Sequence, residues 1–185
     1  FKRLFVFSIL FLMAHFAQSA TLTVRQDGTG QYTDLAGALA AAVAGDTIEI
    51  QQCSTPFEMG SNSIALLDVD LICTAANRAV IHTSSAWGIR MDSSEPTYLR
   101  NIELAGDLTS GYQIGLVLLA NAVIENCVIR DCATRSAAWY ASSKPASGSM
   151  SNTLIYGCKS GWNISFENWG TPSEAVACGP IVLDH

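Results

Sequence analysis

Acids and bases standing close together in the chain are the first residues that could do chemistry. Asp68 with Asp70, and Asp92 near Glu95, carry hard carboxylate oxygens of the kind that bind calcium. Arg90 beside Asp92, and Arg130 beside Asp131, would serve as base and ligand. Trp87, Trp139, Trp162 and Trp169 offer flat apolar faces on which sugar rings can stack. Each set also has a plainer explanation. Acids at turns are commonly solvated or bonded to local backbone, Arg–Asp neighbours form surface pairs at strand ends, and tryptophans pack in cores. The plainer explanation is favoured for the acids and the tryptophans. No CxxC pair or Cys/His cluster occurs, so zinc has little support.

The composition narrows the partners. The chain has 185 residues and a formal net charge of −6; 49% of it is hydrophobic and only 14% charged. Such a chain is too apolar to be disordered. Its acidity argues against nucleic acid or an anionic membrane, both of which select basic patches. Residues 1–19 have the layout of a secretory signal peptide: Lys2 and Arg3, an apolar run from Leu4 to Ala14, and Ala17-Gln18-Ser19 before a cleavage site. The run is too short to span a bilayer, so no transmembrane span is expected. Removing Lys2 and Arg3 from a net −6 leaves −8. The product is expected to be secreted or held at the cell surface, where Cys53, Cys73, Cys127, Cys132, Cys158 and Cys178 meet oxidising conditions.

The elements that must position these residues begin with a strand at Thr21–Arg25 and a Gly-containing turn. Thr33 is placed to cap a helix whose apolar stripe is Leu35, Ala38, Leu39, Ala42 and Val43, closed by Gly45. A strand follows over Asp46–Gln51. Beyond residue 60 no helical period persists, and short β-rich pieces recur at Val69–Thr74, Ala79–His82 and Gly88–Met91. Tyr98–Leu104 aligns with Val123–Ile129, and again with Leu154–Ser160. Leu99, Ile124 and Ile155 fall in an inward column. Asn101, Asn126 and Gly157 share a column of types that tolerate left-handed backbone, where the chain bends and Asn side chains can bond to one another. Ile102, Cys127 and Cys158 look inward after the bend. Cys127 and Cys158 are therefore expected to stack as small apolar residues rather than to bond. Residues 141–151 are expected to form an insertion between strands.

A strand, a corner and a second strand recurring every 25–30 residues or so describe a parallel β-solenoid. Asp27–Leu35, the Ala-rich helix, Ala44–Ile50 and the rung Ile124-Glu125-Asn126-Cys127-Val128-Ile129 resemble right-handed parallel β-helix proteins of the pectin-lyase-like superfamily. The resemblance implies an all-β, right-handed parallel β-helix with a short N-terminal capping α-helix: signal 1–19, cap 20–46, and rungs 47–185. With no closing cap visible, the coil is expected to continue past His185.

The resemblance also implies carbohydrate-active enzymes. The Gln-Asp-Thr and Asp-Phe-Ile-Phe-Gly strings of pectin methylesterases are missing, as are the Asn-Thr-Asp, Asp-Asp and Gly-His-Gly strings of polygalacturonases. Nor does any rung hold an adjacent acidic pair for hydrolysis. Ile181–His185 is similar to the Val-Trp-Ile-Asp-His string of pectate lyases, which would give Asp184 and His185 a lyase role, but Val182 stands for Trp and no Arg-x-Pro follows. The expected function is an exported β-helix that binds polysaccharide or a cell-surface glycan, with no catalytic set identifiable and no cofactor evident, calcium being the one candidate. The alternatives are a polysaccharide lyase whose active site lies beyond His185, and an adhesin-like surface protein.

Overall fold

The structure, a computed structural model, describes residues 19–141, 147–159, 162–168 and 181–184. The expected signal peptide, up to residue 18, lies outside them, as do Trp169, Cys178 and His185. In chain order the elements are β1 (Thr21–Arg25), α1 (Leu35–Ala41), β2 (Thr47–Gln52), β3 (Phe57–Glu58), β4 (Ile64–Leu66), β5 (Asp70–Cys73), β6 (Ala79–His82) and β7 (Trp87–Arg100). Then come β8 (Ile102–Ala105), β9 (Ile114–Glu125), β10 (Val128–Arg130), β11 (Arg135–Ala141), β12 (Gly148–Ser151), β13 (Leu154–Tyr156), β14 (Trp162–Asn168) and β15 (Ile181–Asp184).

Every described strand pairing is parallel, and partners come from successive turns of the chain. The result is a parallel β-solenoid of about five turns. It has three faces, because the long strands β7 and β9 each serve two. Their first halves stack with β4, β11 and β14; their second halves stack with β5 and β12. The third face is the short-strand sheet β3–β6–β8–β10–β13. Inward columns are apolar throughout: Leu22, Ile48, Leu71, Leu99, Ile124 and Met150 on one face, and Phe57, Ile81, Leu104, Ile129 and Ile155 on another. Alternation places these side chains inside because successive strand residues point to opposite faces.

The corners follow the expectation in kind. All described non-glycine residues with positive φ are Asn or Asp: Asp68, Asn101, Asn121, Asn126, Asp131 and Asn152. Asn126 Nδ2 donates to Asn101 Oδ1 at 3.1 Å, and Asn152 Nδ2 donates to Asn126 Oδ1 at 3.1 Å. Arg78 braces this column, its Nη2 reaching Asn126 Oδ1 at 2.7 Å and its Nε the Asn126 carbonyl at 2.8 Å.

Three details differ from the sequence reading. The third repeat is displaced by one strand. Met150, not Ile155, continues the Leu99–Ile124 column, and Asn152 rather than Gly157 continues the Asn corner; Leu154–Tyr156 pairs instead with Val128–Arg130. Gly157 (φ +75°) belongs to another corner, against Asp131, whose Oδ1 would lie 2.5 Å from an added Cβ. Cys127 and Cys158 therefore do not share a column, and Gly148–Ser151 is strand rather than insertion; residues 142–146 lie outside the described ones. At the helix, Asp34 is the N-cap, its carboxylate accepting from Gly37 N at 2.7 Å, because Thr33 lies one residue too early. The helix ends at Ala41, leaving Val43 57% exposed, while Leu35 and Ala38 join the core beside Val24 and Ile48.

Candidate functional site

On the third face the outward positions form a row along the solenoid: Glu58, His82, Ala105, Arg130 and Tyr156 are register partners in successive strands. Their inward neighbours Phe57, Ile81, Leu104, Ile129 and Ile155 fix the alternation that turns them out. Ala105 is the small residue of the row, so His82 and Arg130 flank a depression. The segment Gly106–Leu108 walls it, making an open groove of about 470 Å³ with Ser84 and Asp131 also on its sides.

The groove is held by paired charges. His82 Nδ1 lies 2.8 Å from Glu58 Oε1, with both side chains open to solvent. Arg130 is gripped by two carboxylates, Glu103 at 2.8 Å on Nε and Asp131 at 2.5 Å on Nη1, and these contacts raise its already high pKa. The Asp107 carboxylate accepts from Thr109 Oγ1 at 2.6 Å and Thr109 N at 2.8 Å, which holds its pKa below the ordinary aspartate value. Beneath the wall, the fully buried Gln113 joins three turns. Its Nε2 donates to Thr83 O at 2.6 Å, its Oε1 accepts from Asp107 N at 2.6 Å, and its backbone N donates to Thr134 Oγ1 at 3.1 Å. Next to the groove, Tyr156 is 44% exposed.

Of the acids singled out in the sequence, Asp68 and Asp70 accept hydrogen bonds from backbone N–H groups. Asp68 and Asp70 border a second depression of about 330 Å³ with Asp46 and Glu95. Asp68 Oδ1 accepts from Ser94 N at 2.6 Å, Asp70 Oδ1 from Tyr98 N at 2.8 Å, and Asp46 from Ala20 N and Val43 N, each at 2.9 Å. These carboxylates tie one turn to the next or close their own loop. Arg90 pairs with Asp92 at 3.0 Å on the first face, away from the Arg130 cluster. Among the described residues no group of three or more His, Cys, Asp or Glu side chains is placed to hold a metal ion. The structure thus brings Arg130 together with Asp131 and Arg90 with Asp92, as the sequence reading paired them, and sets Asp68 and Asp70 on one depression with Glu95.

Trp87 opens β7 and is 36% exposed. The register puts it in one column with Ile114, Arg135 and Trp162, while Trp139 falls in the Met91–Leu118 column, so the three described tryptophans do not share one column. Asp184 ends β15, paired with Ser151. Sequence reasoning missed Glu58, His82, Glu103 and Gln113. The available signal was the turn length: Glu58 and His82 are 24 residues apart and Glu103 and Arg130 are 27 apart, one coil turn each.

Among the described residues no helix is long and apolar enough to cross a membrane. No family model, curated protein or solved structure matches the chain.

Proposed function

We propose that this chain is an exported β-solenoid that binds a polysaccharide along the groove of its third face. The observation that carries the reading is the outward row Glu58–His82–Ala105–Arg130–Tyr156. Side chains that donate and accept hydrogen bonds repeat there at the strand spacing of about 4.8 Å, beside an exposed tyrosine ring. An extended, repeating, hydroxyl-rich chain suits such a row, and an aromatic ring suits the apolar face of a sugar. Glu58, Asp107 and Asp131 outnumber Arg130 on the walls, which favours an uncharged glycan over a polyuronate. On the opening motif and the Ile124–Ile129 rung, we assign the coil to the right-handed pectin-lyase-like superfamily. We read residues 1–19 as its signal peptide and the cell surface or the exterior as its destination.

The test is retention on immobilised polysaccharides, neutral and acidic, in affinity electrophoresis. Neutral glycans are expected to retard the protein, and Tyr156→Ala and Arg130→Ala to weaken retardation at least about tenfold, the loss of ~1.4 kcal/mol. Retardation by none of them, or variants that bind as the parent does, would end the reading. Release of unsaturated product from polygalacturonate with calcium would instead identify a lyase. N-terminal sequencing of the exported protein is expected to begin at Ala20.

A further inference from the structure

We propose that Cys53–Cys73 and Cys132–Cys158 are two cross-rung disulfide sites, each closed by exchange with a small disulfide of the glutathione type. The five described cysteines are reduced in the structure. Cys53 follows β2 and Cys73 ends β5, the neighbouring strand of the next turn, where Cys73 pairs with Ile50 and Thr74 N donates to Ile50 O at 2.9 Å. Cys53 packs against the core that holds Cys73, and burial followed by the nearby Cys73 sulfur pushes its thiol up.

The second pair sits at the corner after β10. Asp131 N donates to Tyr156 O at 3.2 Å and Lys159 N donates to Cys132 O at 3.1 Å. These two bonds bracket Cys132 and Cys158 and set them at equivalent places in successive turns. Parallel neighbours lie about 4.8 Å apart, inside the span of roughly 4.4–6.8 Å between Cα atoms that a disulfide accepts. Cys127 has no such partner among the described residues: its N donates to Thr153 Oγ1 at 3.4 Å in the next turn, and its Sγ to Glu125 O at 3.2 Å.

Each pair joins a half-exposed thiol, Cys53 or Cys158, to a buried one, Cys73 or Cys132. The half-exposed thiolate attacks a sulfur of oxidised glutathione and releases one glutathione thiolate. The buried thiolate then attacks the protein sulfur of the mixed disulfide and expels the second glutathione. The protein pair gives up two electrons and two protons, and one glutathione disulfide becomes two thiols. Burial pushes the Cys132 thiol up to about 12, with the Cys158 sulfur adding to the effect, so the second step is the slow one at neutral pH.

The experiment treats the folded full chain with oxidised glutathione, blocks remaining thiols with iodoacetamide, and maps linked peptides by mass. The expected products are Cys53–Cys73 and Cys132–Cys158 links, with Cys127 alkylated. Cys158→Ser should remove the second link and leave the first, and Cys53→Ser should do the reverse, each keeping a β-type dichroism spectrum. Links through Cys127 or Cys178, or alkylation of both members of a pair after oxidation, would overturn the assignment for that pair.

Discussion

Replacing Gln113 with methionine tests whether the groove wall depends on one buried amide. Methionine fills nearly the same volume but can neither donate to Thr83 O nor accept from Asp107 N, both now bonded at 2.6 Å. Thr83 is only 3% exposed, so its carbonyl loses its Gln113 donor at a site with little access to water; an unmade buried hydrogen bond costs about 1–3 kcal/mol. The Asp107 N–H is partly buried and belongs near the lower end, at about 1 kcal/mol. The loss is thus about 2–4 kcal/mol, which for a chain of this size lowers Tm by about 4–16 °C. Thermal melts followed by dichroism give the number, and amide exchange at Asp107 and Thr109 should rise in parallel as the wall loosens. A Gln113→Met variant that melts within a degree or so of the parent would refute the reasoning, because it would mean that water replaces both bonds at no cost.

Three further outcomes follow from the same geometry. Asn126→Ala removes the acceptor of Arg78 and Asn152 and leaves a β-carbon at φ +53°, for an expected loss of about 3–5 kcal/mol in urea unfolding; Asn126→Gly, free of the backbone strain, should retain about 1 kcal/mol more, and a glycine variant weaker than the alanine one would contradict this. Gly106→Ala would put its Cβ 2.5 Å from Gln113 Oε1 and 2.8 Å from Asp131 O, so a destabilisation of about 1–3 kcal/mol is expected, and an unchanged melting point would mean that the wall yields easily. Asp107 is held below its ordinary pKa, chiefly by the Thr109 hydroxyl, so it binds its proton less readily folded than unfolded. Its contribution is present above the unfolded value of about 4 and is lost as pH falls through the lower folded value. Asp107→Asn should flatten the acid side of the stability–pH curve, and superimposable curves would remove Asp107 from the account.

The solenoid was legible because its demands are narrow. Inward positions accept only apolar side chains, and a left-handed corner accepts few types besides Asn, Asp and Gly, so Leu99-Arg100-Asn101 and Ile124-Glu125-Asn126 mark the same corner 25 residues apart. The third repeat went astray because a turn contains more than one such corner. Leu154-Ile155-Tyr156-Gly157 also runs apolar–polar into a left-handed residue, Gly157 at φ +75°, as does Met150-Ser151-Asn152 at φ +46°. Local pattern fits both. Only the Asn126–Asn152 bond and the Ile124–Met150 register separate them, and both are contacts across turns.

The same property explains why the groove escaped a search for neighbouring acids and bases. Within a strand, residues two apart share a face but stand about 7 Å from one another, whereas parallel partners stand about 4.8 Å apart. Side-chain chemistry on a solenoid surface is therefore assembled chiefly at the interval of one turn. Arg90–Asp92 and Arg130–Asp131 are visible as neighbours in the sequence. His82–Glu58, Arg130–Glu103 and Arg100–Glu125 are not, although all three reach from one turn to the next. Arg130 belongs to both kinds, which is why the sequence found it and missed Glu103. Once the turn length is fixed by the Asn corner, stepping back about 24–27 residues from His82 and Arg130 lands on Glu58 and Glu103. In this fold a misplaced rung also misplaces every outward row that crosses it, as the shift from Met150 to Ile155 does.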